Sequence, residues 1–161
     1  MTFLVIDPNM KDSTRSLEEK LIDKRDCLAL FYDTSELEWC TKLRSNADVI
    51  RNEIETFLST HPNPARVREI DEYQREIDTG DIPWSMVPLR IITQSNASFY
   101  YPDEFKLTLG LLPHDNITAY FSILPPNKKI PIHEGIYQGI LRYHLCVVEV
   151  GPNCRIPMRS S

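Results

Sequence analysis

No run in this 161-residue chain comes close to the roughly 18 consecutive apolar residues that a membrane-spanning helix needs. The N-terminal patch Thr2–Ile6 is apolar, but Asp7 and Pro8 break it at once, and neither a basic leader nor a long apolar signal core is present. A soluble, cytoplasmic protein is the expectation. Four cysteines, Cys27, Cys40, Cys146 and Cys154, show no CxxC pair and no zinc-ligand spacing, which argues against a structural metal or a disulfide framework and for free buried thiols. The sequons Asn96-Ala97-Ser98 and Asn116-Ile117-Thr118 matter only in a secreted chain. Repeats and low-complexity tracts are lacking, and 42% hydrophobic composition is enough for one domain with a core.

Strong charge of either sign is also missing. A net charge of -5 does not call for nucleic acid, but the charge is unevenly placed. Residues 1–82 hold 11 Lys/Arg against 18 Asp/Glu, and residues 83–161 hold 7 against 5. The slightly basic second half suits a small anionic ligand.

In the first half, Ala47, Ile50, Ile54, Phe57 and Leu58 recur at helical spacing after Ser45 and Asn46, either of which can cap the helix start. Pro62 and Pro64 end that helix. Asn63 and Pro64 then open a second helix whose stripe Val67, Ile70, Tyr73 and Ile77 runs to Gly80. Residues 1–34 carry no firm signal. After Asp81 the pattern changes to short β-rich runs broken by proline, asparagine and glycine, with strands expected near Val87–Thr93, Ile117–Leu124, Ile130–His133, Leu141–Val150 and Arg155–Met158, and a turn or two of helix from Pro102 to Leu112. The expectation is a single α+β domain over 1–161, mainly helical over 1–82 and β-rich over 83–161.

The chemistry concentrates between Thr118 and Val150. Alternation along a strand puts Arg142 and His144 on one face of an otherwise apolar run, and a buried guanidinium needs an anion: a bound carboxylate, an internal acid such as Glu149, or backbone carbonyls. Ser122 and Leu124 share a face of the earlier strand, where the serine hydroxyl can meet the same ligand. His133 precedes Gly135 in a turn-rich passage; it is either an ordinary hydrogen-bonded histidine or a metal ligand. Glu134, one residue away, would leave an extended strand on the opposite face and is badly spaced to be its partner.

The ordered set Phe121-Ser122-Ile123-Leu124-Pro125-Pro126, Pro131-x-His133-x-Gly135 and Leu141-Arg142-x-His144-Leu145 resembles the aspartyl/asparaginyl β-hydroxylase family of iron(II) and 2-oxoglutarate dependent dioxygenases. Looser agreement comes from Phe31-Tyr32-Asp33, Trp39, the helix with Asn46, Ile50 and Glu53, Trp84 with Pro88-Leu89, and Tyr101-Pro102, so the resemblance spans roughly residues 30–155. It implies a jelly-roll (double-stranded β-helix) core behind the N-terminal helices. It further implies His133 as an iron(II) ligand in a histidine-x-glycine motif without the usual carboxylate, and Ser122, Leu124, Arg142 and His144 around the cosubstrate 2-oxoglutarate. Asn127 stands where the family often has glycine, and asparagine tolerates the same left-handed turn.

The implied reaction is hydroxylation of a peptidyl Asp or Asn, or of another small or lipid substrate, coupled to decarboxylation of 2-oxoglutarate. The family continues past this point with a second histidine ligand and a second cosubstrate arginine, whereas this sequence closes at Pro157-Met158-Arg159-Ser160-Ser161. The expectation is therefore a core incomplete at its C-terminal end, with a partner or missing segment covering an open sheet edge. A truncated or non-catalytic binding module is the alternative to an active hydroxylase.

Overall fold

A computed structural model describes residues 2–6, 33–70, 74–92, 97–114, 116–131 and 140–148. In chain order the elements are β1 (Thr2–Ile6), a 3-10 turn (Thr34–Glu36), α1 (Glu38–Ser45), α2 (Ala47–Thr60), α3 (Val67–Ile70), β2 (Ser85–Ile92), β3 (Ala97–Phe99), α4 (Lys106–Leu111), β4 (Asn116–Ile123) and β5 (Ile140–His144). The strands make one antiparallel sheet in the order β3-β2-β4-β1-β5. The architecture is α+β, as expected.

The apolar stripe of α2 buries Ile50, Ile54 and Phe57. With Cys40 and Leu43 of α1 and Phe105 before α4, it covers one face of the sheet, where Val87, Leu89, Ala119, Phe121 and Tyr143 point. Phe57, Phe105 and Phe121 pack in series, each pair tilted by 43° with centroids 5.1 and 5.2 Å apart. Trp39 meets Tyr143 edge-on at 5.3 Å, and Arg51 Nε donates to the carbonyl of Val147 just beyond β5. Glu53 of α2 reaches across to accept from Leu107 N (2.9 Å), Thr108 N (2.8 Å) and Thr108 Oγ1 (2.6 Å), doing the capping work that the α4 N-cap residue, Phe105, cannot do with its side chain.

The helix expected from Asn46 runs to Thr60, and Pro62 follows it. Asn46 does not cap it with its side chain; the amide instead donates to Lys42 O at 2.8 Å and closes the end of α1. The helix expected from Pro64 to Gly80 is helical only over Val67–Ile70 among the described residues, and Gln74 to Asp78 forms turns. Its shortening has a visible cause. Val67 N donates to Trp84 O and Met86 N to Ala65 O, so the segment is bridged to the start of β2 and the chain between must loop back.

β1 lies in the stretch that carried no firm signal, inside the part expected to be mainly helical, and neither β3 nor α1 was among the elements expected. The strand expected over Leu141–Val150 ends at His144, and Ile130–Pro131 is not strand. The other half of the Ile130–His133 expectation and the strand expected at Arg155–Met158 lie outside the described residues. Asn127 has φ 67°, the left-handed turn that its replacement of glycine requires, and Lys128 N closes the turn onto Pro125 O at 3.1 Å. Among the described residues no helix is long and apolar enough to cross a membrane.

Candidate functional site

Residues directly opposite each other on neighbouring strands share a face, so register alone places the candidate side chains. Thr2 of β1 pairs with Tyr120 on one side and His144 on the other, and Leu4 pairs with Thr118 and Arg142. By alternation, Thr118, Tyr120 and Ser122 of β4 therefore lie on the same face as Arg142 and His144 of β5, opposite the helix-covered face that takes Ala119, Phe121 and Tyr143. Met86 of β2 pairs with Ser122 and belongs to that second face as well. The structure thus brings together three of the five residues singled out from sequence.

It also adds a spacing that the sequence did not disclose. The strands carrying Ser122 and Arg142 are not neighbours, because β1 lies between them. Strand spacing and rise put the Cα of Ser122 roughly 12 Å from that of His144 and roughly 16 Å from that of Arg142.

On this face a small apolar group of Val67, Trp84, Met86 and Tyr120, with Ile70, Ile77 and Ile130 against it, buries one end. Trp84 Nε1 donates to Ser122 Oγ at 2.8 Å, so the indole uses one lone pair of the hydroxyl and leaves its proton available to an acceptor. The other end is open. Arg142 and His144 are exposed, which corrects the expectation of a buried arginine: the apolar residues of β5 face the helices, while the alternate face is uncovered by described residues. Arg142 takes part in no ion pair among the described residues, and Glu149, the internal acid expected as an alternative partner, lies outside them.

Desolvation of the ring, and after it the Arg142 charge, pushes His144 down to about 4. The residue as a whole is solvent-exposed, and water on that side moderates the push. Either way the imidazole is neutral at pH 7 and can donate one hydrogen bond and accept another. Leu124, 44% exposed, lies one residue past the end of β4, beside the same opening.

A cation with no ion pair among the described residues, an oriented hydroxyl and a neutral imidazole on one face are donors of the kind a carboxylate ligand needs. Iron is another matter. His133 lies outside the described residues, and among the described residues no group of three His, Cys, Asp or Glu side chains is placed to hold a metal. Of the described thiols, Cys40 is buried, with burial pushing it up to about 11, and Cys146 is exposed, so the expectation of buried thiols holds for Cys40 and not for Cys146; Cys27 and Cys154 lie outside the described residues.

One buried group escaped the sequence reading. Asp78, Lys128 and Arg66 form an ion triad beside the second apolar group, with Lys128 Nζ 2.7 Å from Asp78 Oδ1 and Arg66 Nη2 3.2 Å from Asp78 Oδ2. Residues 78 and 128 lie 50 apart in a chain rich in acids, and no spacing rule singles them out. Trp84 was visible only as a loose point of resemblance.

The family model described as aspartyl/asparaginyl beta-hydroxylase matches residues 44–160 of this chain. Among curated relatives, an ornithine lipid ester-linked acyl 2-hydroxylase from Rhizobium tropici is 28% identical over 129 residues, covering 80% of this chain and 45% of the relative. The chain therefore spans under half the length of that relative. No solved structure matches it. With most of its length matched, and with the motif residues Ser122, Arg142 and His144 gathered on one sheet face, the chain belongs to the aspartyl/asparaginyl beta-hydroxylase family.

Proposed function

We propose that this chain carries the cosubstrate-binding part of an iron(II)/2-oxoglutarate dependent hydroxylase built on a jelly-roll core. The observation that carries the reading is the exposed face shared by Ser122, Arg142 and His144, opposite a face closed by helices. Arg142 supplies the charge for one carboxylate of 2-oxoglutarate. Ser122, held by Trp84, donates to an acceptor at the other end, and neutral His144 lies between them in register. Leu124 lines the rim. His133 is the residue that would hold iron(II), which when bound supplies activation of dioxygen for hydroxylation of an unactivated C–H bond.

For the substrate, the name of the Rhizobium tropici relative supports a lipid acyl chain. A hydroxylase acting on the acyl chain of a lipid favours an acyl chain over a peptidyl Asp or Asn side chain, and the open end of the face gives either one access. Titrating the protein anaerobically with iron(II) and 2-oxoglutarate, then admitting oxygen, tests the reading. Succinate formation, stimulated by an acyl lipid or by an Asp/Asn peptide, is the expected outcome, and the stimulating partner names the substrate. A protein that binds neither iron(II) nor 2-oxoglutarate would leave only a non-catalytic module.

A further inference from the structure

The turn that leads from Ser122 and Leu124 toward His133 is fastened by a buried ammonium. Lys128 has a side chain only 2% exposed, and its three N–H donors are all used: on Asp78 Oδ1 at 2.7 Å, Thr79 O at 2.8 Å and Ile82 O at 2.9 Å. Asp78 is fully buried on its side chain and takes Arg66 Nε on its other oxygen at 3.2 Å, while Arg66 Nη2 reaches Gly80 O at 3.4 Å. Arg66 itself sits where the chain is bridged to Ser85 at the start of β2. The loop from Asp78 to Pro83 is therefore gripped from inside by Lys128 and at its base by Arg66. The residue that leaves this loop is Trp84, whose indole holds Ser122.

We infer that Lys128 is a positioning residue for the cosubstrate face, acting through the 78–82 loop to set Trp84 and hence the Ser122 hydroxyl. The inference rests on the reading of Ser122 as a cosubstrate contact. Buried ion pairs contribute little net stability compared with apolar residues of the same size, because desolvating the charges offsets their attraction. The tripod contributes direction: a tetrahedral ammonium fixes three acceptors at once, two of them backbone carbonyls of a loop without other regular structure. Trp84 and Lys128 thus tie the loop to the end of β4 at two points, Ser122 itself and the turn that follows Leu124.

The test is Lys128→Arg. Arginine keeps a positive charge beside Asp78, but its flat guanidinium cannot reproduce the tripod. The indole N–H of Trp84, identified by its loss in Trp84→Phe, is expected to exchange with solvent roughly tenfold faster while that of Trp39, packed on the helix face against Tyr143, keeps its rate. The dissociation constant for 2-oxoglutarate should rise roughly tenfold, the effect usual for residues that orient a binding group.

Faster exchange at both tryptophans would mean a merely structural role and overturn the inference, as would a Trp84 signal and an affinity equal to wild type. If Lys128→Arg does not fold, the pair Lys128→Met and Asp78→Asn takes its place, since it removes the tripod without leaving an unpaired buried carboxylate. The same selective change at Trp84 is expected there, and none overturns the inference. Wild-type protein that protects the Trp84 N–H yet binds no 2-oxoglutarate sinks the cosubstrate reading instead, and the indole rates alone then judge Lys128.

Discussion

Trp84 Nε1 and Ser122 Oγ lie 2.8 Å apart, joining the exit of one loop to the end of the strand that carries the site. The contact fixes a hydroxyl that would otherwise rotate. Trp84→Phe keeps most of the buried ring and removes the donor, so 2-oxoglutarate binding should weaken while the fold survives. Ser122→Ala should do the same and also strand the indole N–H, costing about 1 kcal/mol of stability. Calorimetric titration with 2-oxoglutarate beside chemical denaturation separates the two effects; unchanged affinity in both variants would remove Ser122 from the site.

Arg142 is exposed and takes part in no ion pair among the described residues, so the fold has little need of it. Arg142→Ala should change stability by within about 0.5 kcal/mol, as surface substitutions do. Its loss from a charged hydrogen bond to a carboxylate should weaken 2-oxoglutarate binding by about 2 kcal/mol, close to thirtyfold. Arg142→Lys should recover part of that, lacking the planar fork. An Arg142→Ala protein that unfolds would mark the residue as structural.

The parts of this molecule that could be read from its sequence are those where one local pattern decides the outcome. The α2 stripe of Ile50, Ile54 and Phe57, the proline that follows it, and the left-handed turn at Asn127 are of that kind. So is the common face of Arg142 and His144, which needs only alternation. The position of β1 between β4 and β5 was not legible, because pairing across more than a hundred residues leaves no periodic trace. Arg142 was misjudged as buried for a related reason: the apolar residues beside it are buried, but against helices on the other side of the sheet. The Asp78–Lys128 pair escaped because a buried charge looks like a surface one until its neighbours are known.

Glu53 accepts three hydrogen bonds from Leu107 and Thr108, and Thr108 is completely buried. Glu53→Ala leaves those donors without a partner and removes a negative charge from the start of α4. A loss of roughly 2–4 kcal/mol is expected, since each abandoned donor carries its own desolvation cost. Thermal unfolding checks it. Cosubstrate affinity in the folded variant should stay as in wild type, because Glu53 works on the helix face.

Acid should weaken the protein in two steps. In the folded chain His144 is held at about 4 by desolvation and by Arg142, against 6.5 when unfolded. Between these values the unfolded chain binds more protons, so stability present above pH 6.5 declines as pH falls toward 4. Burial pushes the Asp78 carboxyl up, but the hydrogen bonds and charges of Lys128 and Arg66 outweigh it and hold it below its ordinary value. That stability is present above the unfolded value of 3.8 and is lost as pH falls below it. Urea midpoints should drop from pH 7 to pH 5 in wild type and hold nearly level over that range in His144→Gln. The steeper loss below about 4 should persist in the variant.

Among the described residues β5 joins the sheet through β1 alone: Thr2–Ile6 pairs with Ile140–His144 on one side and with β4 on the other. Five N-terminal residues thus hold the strand of Arg142 and His144 in register with the strand of Ser122. Removing residues 2–6 should strip amide protection from Ile140–His144, while the β2–β4 ladder, which does not use β1, keeps its slow exchange. A proline at Leu4, in the middle of a central strand, should act in the same direction, because it removes a ladder donor and cannot be accommodated without bending the strand. Hydrogen exchange read peptide by peptide decides the matter. If β5 stays protected in the shortened chain, β4 and β5 can pair directly and β1 is not what sets their register; the separation of roughly 16 Å between Ser122 and Arg142 would then shrink by only about 2 Å, since most of it runs along the strands.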